Sequence, residues 1–255
     1  VATLQIINDS TPPDEYMDPT RGTGLDLSLK TADGYGATAK PFPQELLIPM
    51  SEVQARVQER KELKIRHRDL ATQGDLQCKD QGQTNYCWIN APTYCLEYVR
   101  LWQNQEKVYL SPASGGAPIK NFSNRGGWGL EALQWISDKG LVPVDKWPAN
   151  AIDRRYYTEE NRQLAMNYRS PEWVELEPRN MQQLFSLVLR GIPVAGGYNW
   201  WAHEVTNVDV DWVDGEAVPV IRNSWGMGWK DMGYAILQGS KMYADDQVAP
   251  LVALA

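Results

Sequence analysis

Gln81-Gly82-Gln83-Thr84-Asn85-Tyr86-Cys87-Trp88 is a polar, glycine-containing stretch that ends on a thiol. The residues after it are helical in pattern. Trp88, Ile89, Ala91, Tyr94, Cys95, Tyr98, Val99 and Trp102 recur at three- and four-residue intervals and make one apolar stripe. Pro92 falls early in that helix, where it removes one backbone donor and loosens the second turn. A thiol at a helix start meets unpaired N–H groups and the positive end of the macrodipole, and both favour the thiolate. Cys95 lies inside the stripe and reads as buried and inert, and Cys78 has no comparable context. Three cysteines without C-x-x-C spacing make neither a disulfide framework nor a zinc site, so no metal is expected.

Working outward, Ser51-Glu52-Val53-Gln54 has the capping-box form and predicts a helix running to about Arg66. Further helices are expected over about 128–139, closed by Gly140, and 181–190, closed by Gly191. The period then becomes two. Val208, Val210 and Trp212 alternate with Asp209 and Asp211, Asp214-Gly215 marks a turn, and Val218, Val220 and Ile221 follow. Helices first and strands last is an α+β order with segregated lobes. His203 opens the first strand of this hairpin and Asn223 closes the second, within a few residues of register, a difference that a bulge would close. An imidazole held by a side-chain amide keeps one tautomer and orientation, as a base for a thiol requires. The second histidine, His67, sits among Lys64, Arg66 and Arg68 with acids interleaved and reads as a solvated helix end. Nothing local says that the hairpin faces the Cys87 helix.

The 255 residues carry a formal net charge of −7, which argues against a nucleic-acid or anionic-membrane binder. The longest apolar run, 248–255 with Pro250 inside it, is far short of a membrane span. Residues 1–50 are rich in breakers: Thr11-Pro12-Pro13-Asp14, Asp18-Pro19, Arg21-Gly22-Thr23-Gly24, Asp33-Gly34-Tyr35-Gly36 and Pro41-Phe42-Pro43. Little there can form a core alone, which predicts an extended arm docked on a protein partner or on the cleft.

Gln81-Gly82 with Cys87-Trp88 resembles the nucleophile segment of the papain-like cysteine proteases. Asn223-Ser224-Trp225-Gly226-Met227-Gly228-Trp229 resembles that family's asparagine segment, Ala202-His203 its histidine segment, and Asn124-Arg125-Gly126-Gly127-Trp128 the glycine pair of its substrate cleft. The Cys, His and Asn motifs stand in the family's order, and the resemblance covers about 69–239. The resemblance implies an α+β, two-lobed papain-like fold, with the Cys on a helical lobe and the His and Asn on an antiparallel β-barrel-like lobe. It implies Cys87 as nucleophile, His203 as general base and acid, and Asn223 as the group that orients the ring. Gln81 with the Cys87 N–H would form the oxyanion hole, Trp225 would shield the His203–Asn223 bond, and Gly126 and Gly127 would meet an extended substrate. The Cys–His pair would rest as thiolate and imidazolium. No cofactor is implied.

The chain departs from the pattern at three places. Thr84 and Asn124 stand where the family has a bridged pair of cysteines, which fits folding in a reducing, cytoplasmic compartment or a non-secreted assembly. Asn85 and Tyr86 replace small residues and are expected to narrow the pocket beside the nucleophile. Glu204 follows His203; it should point away from the ring, yet a carboxylate so close would raise the imidazole pKa. The expected organisation is an arm over 1–50, a leading helix over 51–68, a helical lobe over 69–165 and a β-rich lobe over 166–255. The implied activity is hydrolysis of peptide bonds in a peptide or protein substrate through a thioester. The rival reading is a papain-fold component of a larger assembly with an occluded or unused site.

Overall fold

In the computed structural model, residues 4–29 and 42–254 are described; the turn cluster at 33–36 lies outside them. Seven helices are formed by these residues: α1 (Met50–Glu62), α2 (His67–Gln73), α3 (Cys87–Trp102), α4 (Ala113–Ile119), α5 (Gly129–Asp138), α6 (Glu159–Ala165) and α7 (Met181–Leu189). The strands are β1 (Ile6–Ile7), β2 (Glu172–Glu175), β3 (Val194–Tyr198), β4 (His203–Val213), β5 (Glu216–Arg222), β6 (Tyr234–Leu237) and β7 (Asp246–Val252). They make one sheet in the order β1-β6-β5-β4-β3-β7-β2, antiparallel except where β1 joins β6. The fold is α+β, as the order of periods predicts.

Consecutive strand residues face opposite ways, and the two faces of the sheet carry different cores. Ala195 and Val248 pack with Cys87, Leu96 and Leu130 of α3 and α5, while their neighbours Val194 and Ala249 pack with Val53, Val57 and Leu184 of α1 and α7. The helix bearing the thiol thus lies directly on β3, β4 and β7. The β4–β5 hairpin turns at Asp214-Gly215, both with positive φ (49° and 87°), the pairing that a two-residue hairpin turn demands. A register shift between Asn207 and Asp209 supplies the bulge.

Two local expectations fail. The first helix is capped by Pro49, not Ser51, and it stops at Glu62 before Lys64 takes φ 54°. His67 is not solvated. It is fully buried, stacked on Tyr98 at 4.3 Å and within 3.2 Å of the hydroxyls of Tyr94 and Tyr234. Its aromatic neighbours come from distant parts of the chain, so the charged residues beside it in sequence give no sign of them.

Candidate active site

The loop before Cys87 is stitched to the loop after β5. Gln81 N–H donates to Ser224 O at 2.8 Å, Gly226 N–H donates to Lys79 O at 2.9 Å, and the Ser224 hydroxyl donates to Gln81 Oε1. This last bond fixes the Gln81 amide with its nitrogen toward the cleft. Thr84 closes the turn, its hydroxyl donating to Gln81 O at 2.8 Å. Where the resemblance leads one to expect a disulfide, Asn124 acts as a clasp. Its Oδ1 accepts from Asn85 N–H at 2.6 Å and its Nδ2 donates to Gln83 O at 3.3 Å. Cys78, Cys87 and Cys95 are all free thiols.

Cys87 begins α3 and is 0% exposed. Its sulfur meets the backbone N–H groups of Trp88 and of Glu204, the residue after His203. That contact supplies the long-range step, since it brings the start of β4 to the start of α3. His203 is also 0% exposed, and its Nε2 lies 2.7 Å from Asn223 Oδ1. The same oxygen accepts the Ser224 N–H at 2.7 Å, which fixes the amide orientation and makes Nε2 the protonated ring nitrogen. Nδ1 has no hydrogen-bond partner among the described residues and keeps a lone pair to accept a proton. Trp225 lies against the ring with centroids 4.7 Å apart. Trp201 covers it at 4.9 Å, a neighbour that sequence reasoning missed although Trp200-Trp201 directly precedes Ala202-His203.

The electrostatics of this closed site differ from the expected ion pair. Burial pushes the Cys87 thiol far up, with Glu204 adding to it, and burial lowers His203 to about 4 against the support of Asn223. Thiol and imidazole are both neutral here. Glu204 does not raise the His203 pKa; it projects from the opposite face of β4.

The arm runs beside these groups. Residues 22–26 lie in the groove between the lobes, bound along their backbone. Gly22 O accepts from Gln81 Nε2 at 2.9 Å and from Trp225 Nε1 at 3.0 Å. Gly24 and Leu25 N–H both donate to Ala202 O at 3.2 Å, and Gly22 N–H donates to Gly82 O at 3.0 Å. Gly127 N–H donates to Gly24 O at 2.9 Å and Asp26 N–H donates to Gly127 O at 2.8 Å, so Leu25 and Gly127 pair as parallel strands. The arm crosses Gly126 so closely that a Cβ there would stand 2.5 Å from Gly24 O. Upstream, β1 extends the sheet and Tyr16 packs edge-on against Trp200 and Trp201 at 5.5 and 5.7 Å. Of the bulky pair before the nucleophile, Asn85 touches the arm at Gly24, but Tyr86 does not line the groove. Tyr86 is buried, its hydroxyl donating to Ser123 O at 2.8 Å. The groove is filled by the arm, not by Tyr86.

Among the described residues no cluster of His, Cys, Asp and Glu could hold a metal ion, and no helix is long and apolar enough to cross a membrane.

No family model matches the chain. By sequence it is 26% identical over 180 residues to digestive cysteine proteinase 3 of Homarus americanus, across 61% of this chain and 56% of that one. It is 24% identical over 190 residues to a cysteine protease of Blomia tropicalis, across 63% and 56%. The chain thus spans about half the length of the relatives that it matches. Its structure is similar to procathepsin L 3 of the Tenebrio molitor larval midgut, with a TM-score of 0.67, 17% identity and coverage of 91% of this chain and 76% of that one. It is also similar to xylellain, a cysteine protease from Xylella fastidiosa, with a TM-score of 0.57, 18% identity and coverage of 69% and 83%. The fold is papain-like.

Proposed function

We propose that this divergent relative of the papain-like cysteine proteases is a cysteine peptidase held closed by its own N-terminal arm. The observation that carries the reading is the set of groups that grips the arm. Gln81 Nε2, Trp225 Nε1, Ala202 O and both backbone groups of Gly127 bind an extended peptide backbone beside the loop that leads into Cys87 and the residue before His203. A groove that binds one peptide through main-chain bonds suits others of different sequence.

With the arm displaced and a peptide in its place, water reaches the thiol and the ring, and the penalty on their charged forms falls. The Cys87 proton then passes to His203 Nδ1, since Asn223 holds Nε2–H. The thiolate attacks the peptide carbonyl carbon, and the carbonyl π pair moves onto oxygen. Gln81 Nε2 and the Cys87 N–H are the donors for that oxyanion, charge that exists only in the tetrahedral state. Collapse breaks the C–N bond. His203 gives its proton to the departing amine, and a thioester remains on Cys87. Water, deprotonated by His203, then attacks the thioester and releases the acid and the free thiol. In the resting form Gly22 O occupies one oxyanion donor, Gln81, while the Cys87 N–H makes no bond to it. The arm is therefore bound without its carbonyl in the position for attack.

The experiment is labelling with a peptidyl epoxide or chloromethyl ketone at near-neutral pH, on the parent chain and on a variant whose arm is displaced. Displacement is expected to make Cys87 react ahead of Cys78 and Cys95, with the rate collapsing in His203→Ala. A displaced arm with Cys87 no more reactive than a free thiol would favour the second reading, a papain-fold component with an unused site. Its support is the neutral, fully buried thiol.

A further inference from the structure

Asn223 orients the imidazole, yet its own side chain does little to hold it in place. Its Oδ1 meets His203 and the Ser224 N–H, and its Nδ2 has no hydrogen-bond partner among the described residues. The place of the amide is therefore set by the backbone that carries it. Two bonds tie that backbone. Asn223 N–H donates to Gly233 O at 2.8 Å, and the Cys78 thiol donates to Asn223 O at 2.9 Å. Neither tie reaches α3, the helix that begins with the nucleophile.

The preceding residue does reach it. Arg222 ends β5 and is 5% exposed, and the groups that act on its guanidinium are two tyrosines and the Cys78 thiol, not a carboxylate. Nη1 donates to the hydroxyls of Tyr94 and Tyr234, each at 2.7 Å, and to Leu76 O at 3.3 Å. Tyr94 stands on α3 two turns beyond Cys87, and Tyr234 opens β6 directly after Gly233. His67 closes a ring of polar groups, with Nε2 and Nδ1 each 3.2 Å from one of the same two hydroxyls. Burying a cation without an acid is costly, and the hydroxyls offset that cost only while the guanidinium stays between them. The group is planar and rigid, so two such bonds fix its direction as well as its place.

We infer that Arg222 is a positioning residue: by bridging Tyr94 and Tyr234 it sets where Asn223, and through it the His203 ring, stands relative to the Cys87 helix. A cation that only filled the core would not need to lie beside Asn223. Arg100 is such a cation, equally buried at 5% exposure, and it bonds Leu254 O at the far end of α3. The inference rests on the peptidase reading for its part in turnover, but the hold on the ring is measurable in the closed chain.

The test reads the His203 Nε2–H proton by NMR in the full chain at neutral pH. The closed ring is neutral there, and with two histidines in the chain the signal is assigned by its loss in His203→Gln. The parent is expected to show a downfield, slowly exchanging proton, as the 2.7 Å bond to Asn223 requires. Arg222→Met should speed its exchange with water at least about tenfold, because the amide no longer stands where the bond is made. Tyr94→Phe combined with Tyr234→Phe keeps the cation and removes the bridge, and should speed exchange several-fold. Arg100→Met should lower the melting temperature and leave the signal unchanged, which separates positioning from stability. An unchanged signal in Arg222→Met, or one that moves as far in Arg100→Met, would overturn the inference. If Arg222→Met does not fold, the tyrosine pair decides: faster exchange supports the bridge and parent-like exchange overturns it. Faster exchange with no acyl group on Cys87 in any chain would sink the peptidase reading and leave the positioning role standing. Parent-like exchange alongside normal acylation would sink the positioning role alone.

Discussion

Substituting Gly24 by alanine should open the groove without unfolding the protein. Gly24 has φ +140°, and a Cβ there would stand 2.3 Å from Asn85 O and 2.9 Å from Asn85 Cβ. Asn85 cannot yield easily, because Asn124 holds its N–H at 2.6 Å. The arm must therefore shift, and the bonds at stake are those of Gly24, Leu25 and Asp26 to Ala202 and Gly127. Losing two of them at about 1 kcal/mol net each, with part of the burial of Leu25 at about 1 kcal/mol more, amounts to about 3 kcal/mol. That is roughly a 150-fold rise in the open population. The assay is the second-order rate of Cys87 alkylation, with Cys95 as an internal control buried in the same helix and the melting transition as a check on global stability. A Cys87 rate equal to that of the parent chain would refute the reasoning. So would a rise matched by Cys95, because both thiols would then be reporting global unfolding.

Acid should also loosen the arm. His203 is held near 4 in the closed form by burial, and a rehydrated ring returns toward its ordinary value of about 6.5. The open form then binds more protons between those limits, so closure is fully present above about 6.5 and weakens as pH falls toward 4, by at most about 300-fold. Amide exchange of residues 24–26, corrected for intrinsic rates, should show this slope in the parent chain and lose it in His203→Gln. Lys79→Met should destabilise the whole chain by about 3–5 kcal/mol in urea titration. It leaves Glu97 buried in α3 without its cation, where Glu97 still accepts the Leu110 N–H at 2.6 Å. Asn124→Ala should cost about 1–2 kcal/mol and speed proteolysis in the 82–86 loop, because the clasp on Asn85 and Gln83 is lost. An unchanged cleavage rate would show that the loop is held by other contacts.

Short-range pattern explains what the sequence made legible. The stripe after Cys87 is α3 from its first residue to Trp102, because three- and four-residue spacing directly reports the buried side of a helix. Period-two alternation and Asp214-Gly215 define the β4–β5 hairpin in the same way. What escaped depends on non-local neighbours. The breaker-rich string Arg21-Gly22-Thr23-Gly24 reads as a turn, yet the missing side chains serve close approach to Gln83, Thr84 and Asn85 instead. Backbone contact and turning ask the same thing of a residue, so composition cannot separate them. The position of Tyr86 beside Cys87 suggests the cleft, but its ring packs over Gly116 and toward Trp88. Ser51 offered a cap that the chain does not use. The resemblance implies a thiolate–imidazolium pair, and the helix start favours the thiolate; burial of both groups outweighs that local field.

The most direct test of the central claim is to trap the acyl group. The Gly24→Ala chain is mixed with an activated peptide ester, quenched in acid within the first turnover, and digested for mass spectrometry. The mechanism predicts one acyl mass on the peptide containing Cys87, lost on longer incubation and absent from a Cys87→Ser, His203→Ala double variant. An open groove with no acyl mass on Cys87, or one on Cys78 or Cys95 instead, would contradict it.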